Sequence, residues 1–332
     1  MAMTRLAELR ARRALAAARH DPDAPLNMVE SVTNEVWSAG GAVVRVNKRI
    51  HPRLRREAEL SPHLPDRLMY PELLAVGTEN GSDWIVLRRV AGLPLVRCWP
   101  GLTVEERKRA VAQLADAVAS LHETPAPIDL PHAEGVPQLL QPGPRATDPL
   151  LAGLERAADF EYVDRIVLNE AASWVRALRS TLDPFDSPTL IHGDLHFQNV
   201  LWDTERGAVS AVLDLEFSRA APPDLDLDVF LRFCAYPHLF VPVGREAEAR
   251  PEAYEDVPYW FRDAYPDLFS HPKLLERLRL YSVAFDVRDL LENPPRKRLA
   301  DLARTHPYHR LMSTLKGQSH LDVLAAGGAA AG

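Results

Sequence analysis

The stretch that decides the fold is TLIHGDLHFQNVLWDTERGAVSAVLD, residues 189–214, in which short apolar runs enclose a dense group of polar residues. The runs at 200–202 and 211–213 have the pattern of two strands, and the turn-forming residues between them predict a hairpin. Such a hairpin would bring the polar group before the first strand to the same edge as the residue that ends the second. The three residues expected at that edge are Asp194, Asn199 and Asp214.

This edge would carry a carboxylate, an amide and a second carboxylate. Oxygen ligands of this kind suit Mg²⁺, which takes few protein ligands and completes its shell with water and phosphate. The residue types at this edge of the strands therefore suit a magnesium site.

The composition of the chain is that of an ordinary globular protein. Of its 332 residues, 46% are hydrophobic and 26% are charged, and the formal net charge is -7. Because nucleic-acid-binding proteins need a basic surface to meet phosphates, we expect no nucleic-acid partner. The two cysteines have no partner at metal-ligand spacing, which argues against a disulfide-stapled domain and against a structural zinc site.

Hydrophobic residues are spread along the chain and form no long run. No stretch approaches the ~20 apolar residues that span a bilayer. Residues 1–20 carry arginines throughout, unlike a signal peptide, and have the pattern of a short amphipathic helix. We therefore expect no membrane partner and a cytoplasmic location.

The first ninety residues combine strand patterns with a charged helix. Two apolar runs flank Gly40-Gly41, and glycines supply the tight turn of a hairpin. A charged stretch at 53–63 has the pattern of a helix, and another strand is expected at 83–87. This part of the chain therefore predicts a small, strand-rich lobe.

Beyond this lobe the pattern becomes helical. Thr103 and Glu106 form a capping box, and apolar residues then recur at helical spacing until a proline-rich stretch. Helical patterns return at 150–182 and at 273–291. The strand-rich stretch 189–214 lies between them, so the polar edge is expected within a mostly helical lobe.

The polar stretch also resembles a known catalytic loop. His192-Gly193-Asp194 followed by Asn199 matches the H-G-D-x-x-x-x-N loop of the aminoglycoside phosphotransferase and choline kinase families, small-molecule relatives of the protein kinases. Asp214-Leu215-Glu216 looks like the D-x-E or D-x-D segment that replaces D-F-G in these families, and Asp226-Leu227 resembles the D-L pair that follows it. Neither G-x-x-x-x-G-K-[ST] nor G-x-G-x-x-G occurs, so P-loop and dinucleotide-binding interpretations are excluded.

The resemblance implies an α+β, protein-kinase-like fold with two lobes. A small β-rich N-lobe at 1–91 would bind the nucleotide. A larger, mostly helical C-lobe at 92–332 would carry the catalytic loop and the helices that bind the acceptor. The cofactors implied are Mg²⁺ and ATP or GTP as the phosphate donor.

The resemblance also assigns nucleotide-binding residues in the N-lobe. Arg45 lies in a strand that looks like the one supplying the phosphate-contacting base, and Glu57 resembles the helix glutamate that pairs with that base. A charge within an apolar strand needs a partner in any case, which supports the pair independently. The other candidates belong to the loop over the phosphates and to the hinge: Ser31, Thr33, Arg88 and Val90.

In the C-lobe the implied roles follow the chemistry of phosphoryl transfer. Asp194 would be the catalytic residue that accepts or orients the proton of the acceptor hydroxyl, while Asn199 and Asp214 would hold Mg²⁺ on the triphosphate. We expect His192 to bond backbone near the loop, and Asp226 either to cap a helix or to brace the loop. The supporting residues are thus His192, Glu216 and Asp226.

The acceptor is expected to be a hydroxyl group of a small molecule. The resemblance favours an antibiotic, either an aminoglycoside or another sugar-containing or nucleoside antibiotic, and hence resistance by inactivation. The alternative is a small metabolite such as a sugar, homoserine or a choline-like alcohol. An acidic chain fits a cationic acceptor, and the candidate acceptor-binding residues are His196, Glu161, Asp263 and Asp267.

Two other classes of protein share parts of this pattern. The H-x-D-x-H spacing at 192–196 occurs in metal hydrolases, but a hydrolase needs further ligands and the next histidine is His238. A non-catalytic pseudokinase acting as a binding module would be free to lose Asp194, Asn199 and Asp214, all of which are present. The complete set favours a kinase over both alternatives.

Overall fold

An antiparallel sheet of five strands forms the first lobe in the computed structural model, which describes residues 2–29, 31, 34–130, 133 and 135–324. The strands lie in the order β1-β2-β3-β5-β4. Their bounds are β1 (Asn27–Val29), β2 (Asn34–Ala39), β3 (Ala42–Asn47), β4 (Leu73–Glu79) and β5 (Ser82–Arg88).

The predicted glycine hairpin joins β2 to β3. Ala39 pairs with Ala42 across the turn, and Gly40 has a φ of 54°, a left-handed conformation that favours glycine. The turn fixes the register, which places Val36 opposite Arg45. The sequence pattern around the two glycines is thus confirmed.

Two helices cover the two faces of this sheet. Helix α1 (Ala2–Ala17) packs Ala11 and Leu15 against Val44 and its neighbours on one face. Helix α2 (Arg53–Leu60) packs Leu54 against Ile85 on the other face. Because side chains alternate along a strand, Arg45 points to the face opposite Val44, where α2 lies.

The second lobe contains two small groups of strands. A three-stranded sheet consists of β6 (Leu93–Pro94), β8 (Val200–Asp203) and β9 (Ala208–Val212), with β8 in the centre. The short strand β7 (Leu190–Ile191) pairs with β10 (Arg219–Ala220). The catalytic loop at 192–199 therefore runs from β7 to β8, and the predicted hairpin is β8–β9.

Helices make up most of the second lobe, so the fold is α+β with two lobes. None of the helices in the described part of the chain combines the length and the apolar character needed to cross a membrane. Their bounds are α3 (Leu95–Cys98), α4 (Val104–His122), α5 (Asp148–Ala157), α6 (Arg165–Leu178), α7 (Asp224–Ala235), α8 (Val257–Ala264), α9 (Leu274–Glu292) and α10 (Pro307–Leu315).

Capping residues explain where several helices begin. The capping box of α4 is present, since Glu106 N–H donates to Thr103 Oγ1 at 3.2 Å and Thr103 N–H donates to the Glu106 carboxylate at 2.8 Å. The helical stretch expected at 150–182 is instead two helices, because Asp164 starts a new one by accepting from Ile166 N–H at 2.8 Å.

The catalytic loop is anchored by its own aromatic residue. Phe197 is fully buried, with its ring centroid 4.8 Å from that of Trp99 and 5.0 Å from that of Phe233. Burying an aromatic side chain is a large contribution to packing. Phe197 therefore anchors the loop in the hydrophobic core of the second lobe.

Candidate active site

The start of the catalytic loop has a backbone that requires glycine. Gly193 has a φ of 85°, and a Cβ atom there would lie 2.4 Å from the Phe217 carbonyl oxygen. The Asp226 carboxylate accepts hydrogen bonds from the N–H groups of His192 and Gly193, both at 2.7 Å. The sharp turn is thus held by a buried anion.

Asp226 braces the loop and is itself supported from α4. His122 Nε2 lies 3.0 Å from Asp226 Oδ2, and both side chains are buried. Burial alone would raise the pKa of Asp226, but the hydrogen bond and attraction from His122 outweigh it and hold the pKa below its ordinary value. The sequence left two roles open for Asp226, capping a helix or bracing the catalytic loop. Its contacts show that it braces the loop.

Replacing Asp226 with alanine is expected to lower the free energy of unfolding by about 3–5 kcal/mol, because three buried donors lose their acceptor. Urea unfolding followed by circular dichroism measures this loss. The matched control is Asp263→Ala on the exposed side of α8, expected within about 0.5 kcal/mol of the wild type. A loss in Asp226→Ala no larger than that of the control would contradict the bracing role.

His192 ties the loop to the strand that ends at Asp214. Its Nδ1 accepts from Asp194 N–H at 3.2 Å, so the ring proton lies on Nε2, which donates to the Leu213 carbonyl at 2.9 Å. Burial lowers the pKa of His192 and keeps the ring neutral. The expected bond from His192 to backbone is present.

Asn199 connects the two halves of the polar edge. Its side-chain Nδ2 donates to the backbone carbonyl of Asp194 at 3.0 Å. Its backbone carbonyl accepts from the backbone N–H of Leu213 at 2.7 Å. Asp214 follows directly, with a φ of 64°. The loop and hairpin thus bring Asp194, Asn199 and Asp214 together.

Arg45 reaches this edge from the first lobe. Its Nη1 lies 2.8 Å from both carboxylate oxygens of Glu57, and its Nη2 lies 2.6 Å from Asp214 Oδ1 and 3.6 Å from Glu216 Oε2. Burial would lower the pKa of Arg45, but the three carboxylates outweigh it and raise the pKa. The predicted Arg45–Glu57 pair is present and extends across the cleft.

The carboxylates around Arg45 form a cluster that suits a divalent cation. One oxygen from each of Glu57, Asp214 and Glu216 lies within 4.8 Å of the others. Burial, followed by repulsion from Asp214, raises the pKa of Glu216 to about 8 despite the attraction of Arg45. Closely spaced carboxylate oxygens of this kind fit the preferences of Mg²⁺.

The raised pKa of Glu216 gives a pH-dependent prediction. A carboxyl group with a folded-state pKa of about 8 against an ordinary value of 4.5 stabilises the fold fully below pH 4.5, and this contribution is lost as the pH rises through about 8. Glu216→Gln removes the titration, so the variant should gain stability relative to the wild type between about pH 5 and about pH 8.

Urea unfolding without metal or nucleotide at several pH values across that range measures the difference. The control is Glu255→Gln, which changes an exposed glutamate and should show no such trend. A stability difference between Glu216→Gln and wild type that stays constant with pH would contradict the shifted pKa.

The other nucleotide-binding candidates have mixed outcomes. Arg88 N–H donates to the Glu72 carbonyl at 2.8 Å, and its side chain pairs with the Glu72 carboxylate at 2.6 Å, so this N–H is engaged within the sheet. Of the backbone groups of Arg88, only the carbonyl group is therefore left for the predicted contact with the nucleotide base. The Ser31 carbonyl accepts from Lys48 Nζ at 2.7 Å, and Thr33 lies outside the described residues. Contacts to a nucleotide from Ser31 and Val90 stay predictions.

Of the acceptor-binding candidates, His196 contacts Asp194 of the catalytic loop. His196 is buried beside Asp194, with Nε2 3.4 Å from Asp194 Oδ2. In the described part of the chain, no hydrogen bond or ion pair joins Glu161, Asp263 or Asp267 to the catalytic loop, and all three are exposed. Their contacts with an acceptor stay predictions.

Several residues at the site have no local pattern that marks them. Arg53 Nη1 lies 3.4 Å from Glu216 Oε1, and its guanidinium stands 4.6 Å from the Phe217 ring centroid. Tyr70 hydroxyl donates to Glu57 Oε1 at 2.9 Å. Asn34 Nδ2 donates to Glu216 Oε2 at 3.2 Å, and the one indication in the sequence was that Asn34 belongs to the loop expected over the phosphates.

The first lobe carries a buried arginine–glutamate pair, and it faces a loop that carries a carboxylate and an amide. This arrangement defines a protein-kinase-like fold of the class that acts on small molecules. The chain belongs to the aminoglycoside phosphotransferase family, since the family model described as "Phosphotransferase enzyme family" matches residues 30–264. No curated protein matches the sequence significantly.

Solved structures of aminoglycoside phosphotransferases share this fold. The GDP complex of aminoglycoside 2'-phosphotransferase-IIIa is 17% identical, with a TM-score of 0.61 over 94% of this chain and 98% of that chain. The GDP and kanamycin complex of APH(2")-IIia is 19% identical, with a TM-score of 0.61 over 96% and 99%. A ternary complex of APH(4)-Ia with AMP-PNP and hygromycin B is 16% identical, with a TM-score of 0.54 over 96% and 98%.

Proposed function

We propose that the protein transfers the γ-phosphate of ATP or GTP to a hydroxyl group of a small molecule. The observation that supports this best is that the loop and hairpin link Asp194, Asn199 and Asp214, and that a buried arginine from the first lobe contacts Asp214. Phosphoryl transfer depends on placing a hydroxyl in line and neutralising charge on the transferring group, and these residue types meet both needs.

Each residue of the site has a defined part in this proposal. Burial would raise the pKa of Asp194, but the hydrogen bond and attraction from His196 hold it below its ordinary value, so the side chain stays a carboxylate that accepts a proton. Arg45, oriented by Glu57, supplies positive charge to the phosphates. Asn199 and Asp214 would hold Mg²⁺, which when bound neutralises phosphate charge.

An antibiotic is the acceptor that the comparisons support best. Structures with the same fold contain kanamycin or hygromycin B together with a nucleotide. Aminoglycosides carry several hydroxyl groups and positive charge, which suits a chain of net charge -7. We therefore propose resistance by inactivation as the biological role, with the modification occurring in the cytoplasm, where ATP and GTP are available.

A panel assay tests the proposal. The protein is incubated with Mg²⁺ and either ATP or GTP, and nucleoside diphosphate release is measured with kanamycin, hygromycin B, a nucleoside antibiotic, choline, homoserine and simple sugars. Acceptor-dependent release with a phosphorylated antibiotic in the mass spectrum supports the proposal. Turnover confined to choline, homoserine or sugars would overturn the antibiotic role, and no acceptor-dependent release would contradict the kinase function.

A further inference from the structure

Glu57 accepts hydrogen bonds from three separate segments of the chain. Its Oε1 atom lies 2.8 Å from Arg45 Nη1, 2.9 Å from the Tyr70 hydroxyl and 3.3 Å from the backbone nitrogen of Leu215. Its Oε2 atom also lies 2.8 Å from Arg45 Nη1. Glu57 is fully buried, so the direction of this carboxylate is set by protein donors rather than by solvent.

Tyr70 reaches Glu57 from the segment that precedes β4. Met69, directly before it, has a φ of 55° and follows a 3₁₀ turn at Asp66–Leu68. The Tyr70 ring packs against two hydrophobic clusters, one that contains Leu54 of α2 and one that forms the core of the second lobe. Packing against both clusters restricts the ring and thereby holds the hydroxyl at Glu57.

The Tyr70 hydroxyl is the donor in this contact. Burial, and next the negative charge of Glu57, raise the pKa of the Tyr70 hydroxyl well above its ordinary value, so the hydroxyl keeps its proton. A carboxylate only accepts hydrogen bonds, so this proton is directed at Oε1. With Oε1 held by Tyr70 and by Leu215 N–H, both carboxylate oxygens lie equally close to Arg45 Nη1.

Arg45 transmits the position of Glu57 to the other side of the cleft. Its Nη1 atom is bound to Glu57, and its Nη2 atom lies 2.6 Å from Asp214 Oδ1. A guanidinium is planar, so fixing one of its nitrogens also fixes the direction of the other. The hydroxyl of Tyr70 is therefore one contact removed from the group that reaches the polar edge.

We infer that Tyr70 is a positioning residue, which holds Glu57 and thereby fixes the direction of the Arg45 guanidinium toward the nucleotide phosphates. The contact with phosphates rests on the proposed function, whereas the fixed direction of Arg45 does not. A binding site needs such support because a charged side chain that is free to rotate loses part of its binding free energy on being ordered.

The direction of Arg45 can be measured without nucleotide. Nitrogen-15 NMR of the full chain labelled at arginine reports rotation of the guanidinium about its Cζ–Nε bond, and the Arg45 signals are assigned by their loss in Arg45→Lys. We expect slow rotation in the wild type, and a rate about 3- to 10-fold faster in Tyr70→Phe, the range for losing one supporting hydrogen bond. Fast rotation in the wild type, or an unchanged rate in Tyr70→Phe, would overturn the inference.

Calorimetric titration with Mg·ATP and Mg·GTP tests the consequence for nucleotide binding. Tyr70→Phe should weaken the affinity by about 3- to 10-fold and raise the nucleotide KM, with the acceptor KM unchanged. The matched control is Tyr308→Phe, which removes another buried hydroxyl, one that accepts from Asp164 N–H at 2.9 Å. It should leave both the affinity and the Arg45 rotation as in the wild type. Equal losses in the two variants would indicate a merely structural hydroxyl.

A double variant decides whether Tyr70 acts through Glu57. In the Glu57→Met background, Tyr70→Phe should change the Mg·nucleotide affinity by less than about twofold, because the connection to Arg45 is already broken. An additional loss as large as that in the wild-type background would contradict the action through Glu57. Thermal melting of each variant verifies that it is folded before affinities are compared.

The measurements separate failure of this inference from failure of the proposed function. If the chain binds no nucleotide, the proposed function fails while the NMR result still decides the direction of Arg45. If nucleotide binds and Arg45 rotates at the same rate with and without the Tyr70 hydroxyl, the positioning role fails alone.

Discussion

Asparagine in place of Asp194 is expected to lower kcat for phosphoryl transfer by about 10²–10⁴-fold, which corresponds to roughly 3–5 kcal/mol of barrier. The amide has nearly the same shape as the carboxylate, so the loop should keep its structure. What is lost is the ability to accept a proton from the acceptor hydroxyl. Binding of Mg·ATP should remain close to that of wild type, because Arg45 contacts Asp214 rather than Asp194.

Steady-state kinetics and calorimetric titration with Mg·ATP measure the two halves of this expectation. The matched control is Asp186→Asn, an exposed position a few residues before the loop, which should retain wild-type kcat. A loss of less than tenfold in Asp194→Asn would refute its role as the proton acceptor. A parallel loss of Mg·ATP affinity would assign it to nucleotide binding instead.

Local chemistry explains which elements could be predicted from the sequence. Gly40 and Thr103 act through contacts within a few residues, and both the hairpin and the capped helix are found where their patterns place them. The helix expected at 53–63 ends at Leu60, because Pro62 lacks the N–H that would continue it and a 3₁₀ turn follows. The amphipathic pattern of α1 predicted a helix, but the pattern does not identify the sheet face that it covers.

Two parts of the site could be predicted from the sequence: the residues that one hairpin brings together, and the buried charge that needs a partner of opposite charge. Asp194 and Asp214 come together because β8 and β9 are adjacent, and Arg45 predicts a partner because it is buried. The same rule applies to Arg232 in the apolar helix α7, which pairs with Asp286 at 2.7 Å. The contact between His122 and Asp226 joins residues 104 positions apart, and no local pattern marks such a pair.

Replacing Asp214 with alanine is expected to reduce kcat/KM by at least about 10³-fold and to weaken Mg·nucleotide binding at the same time. The carboxylate is the proposed charged ligand of the metal and also one of three anions around Arg45. Loss of Asp214 removes a repulsion that contributes to the raised pKa of Glu216, but it also removes an ion-pair partner of Arg45, so stability is measured alongside activity. Thermal melting without nucleotide separates this effect from general unfolding.

The backbone at Asp214 calls for a second variant. Its φ of 64° is costly for alanine but accessible to asparagine, so Asp214→Asn removes the charge and keeps the conformation. Both variants should lose Mg·nucleotide affinity if the charge is responsible, whereas recovery in Asp214→Asn would show that backbone shape matters more.

Asn199→Ala should act in the same direction as Asp214→Ala but more mildly, because it removes a neutral ligand. Some of its effect will come from the loop, since Asn199 Nδ2 also donates to the Asp194 carbonyl at 3.0 Å. Calorimetric titration with Mg·ATP distinguishes the two positions, with a larger loss of affinity expected for Asp214→Ala. Unchanged affinity and stoichiometry in Asp214→Ala would show that the metal is held elsewhere, because a charged ligand cannot be removed without weakening the binding of the cation that it holds.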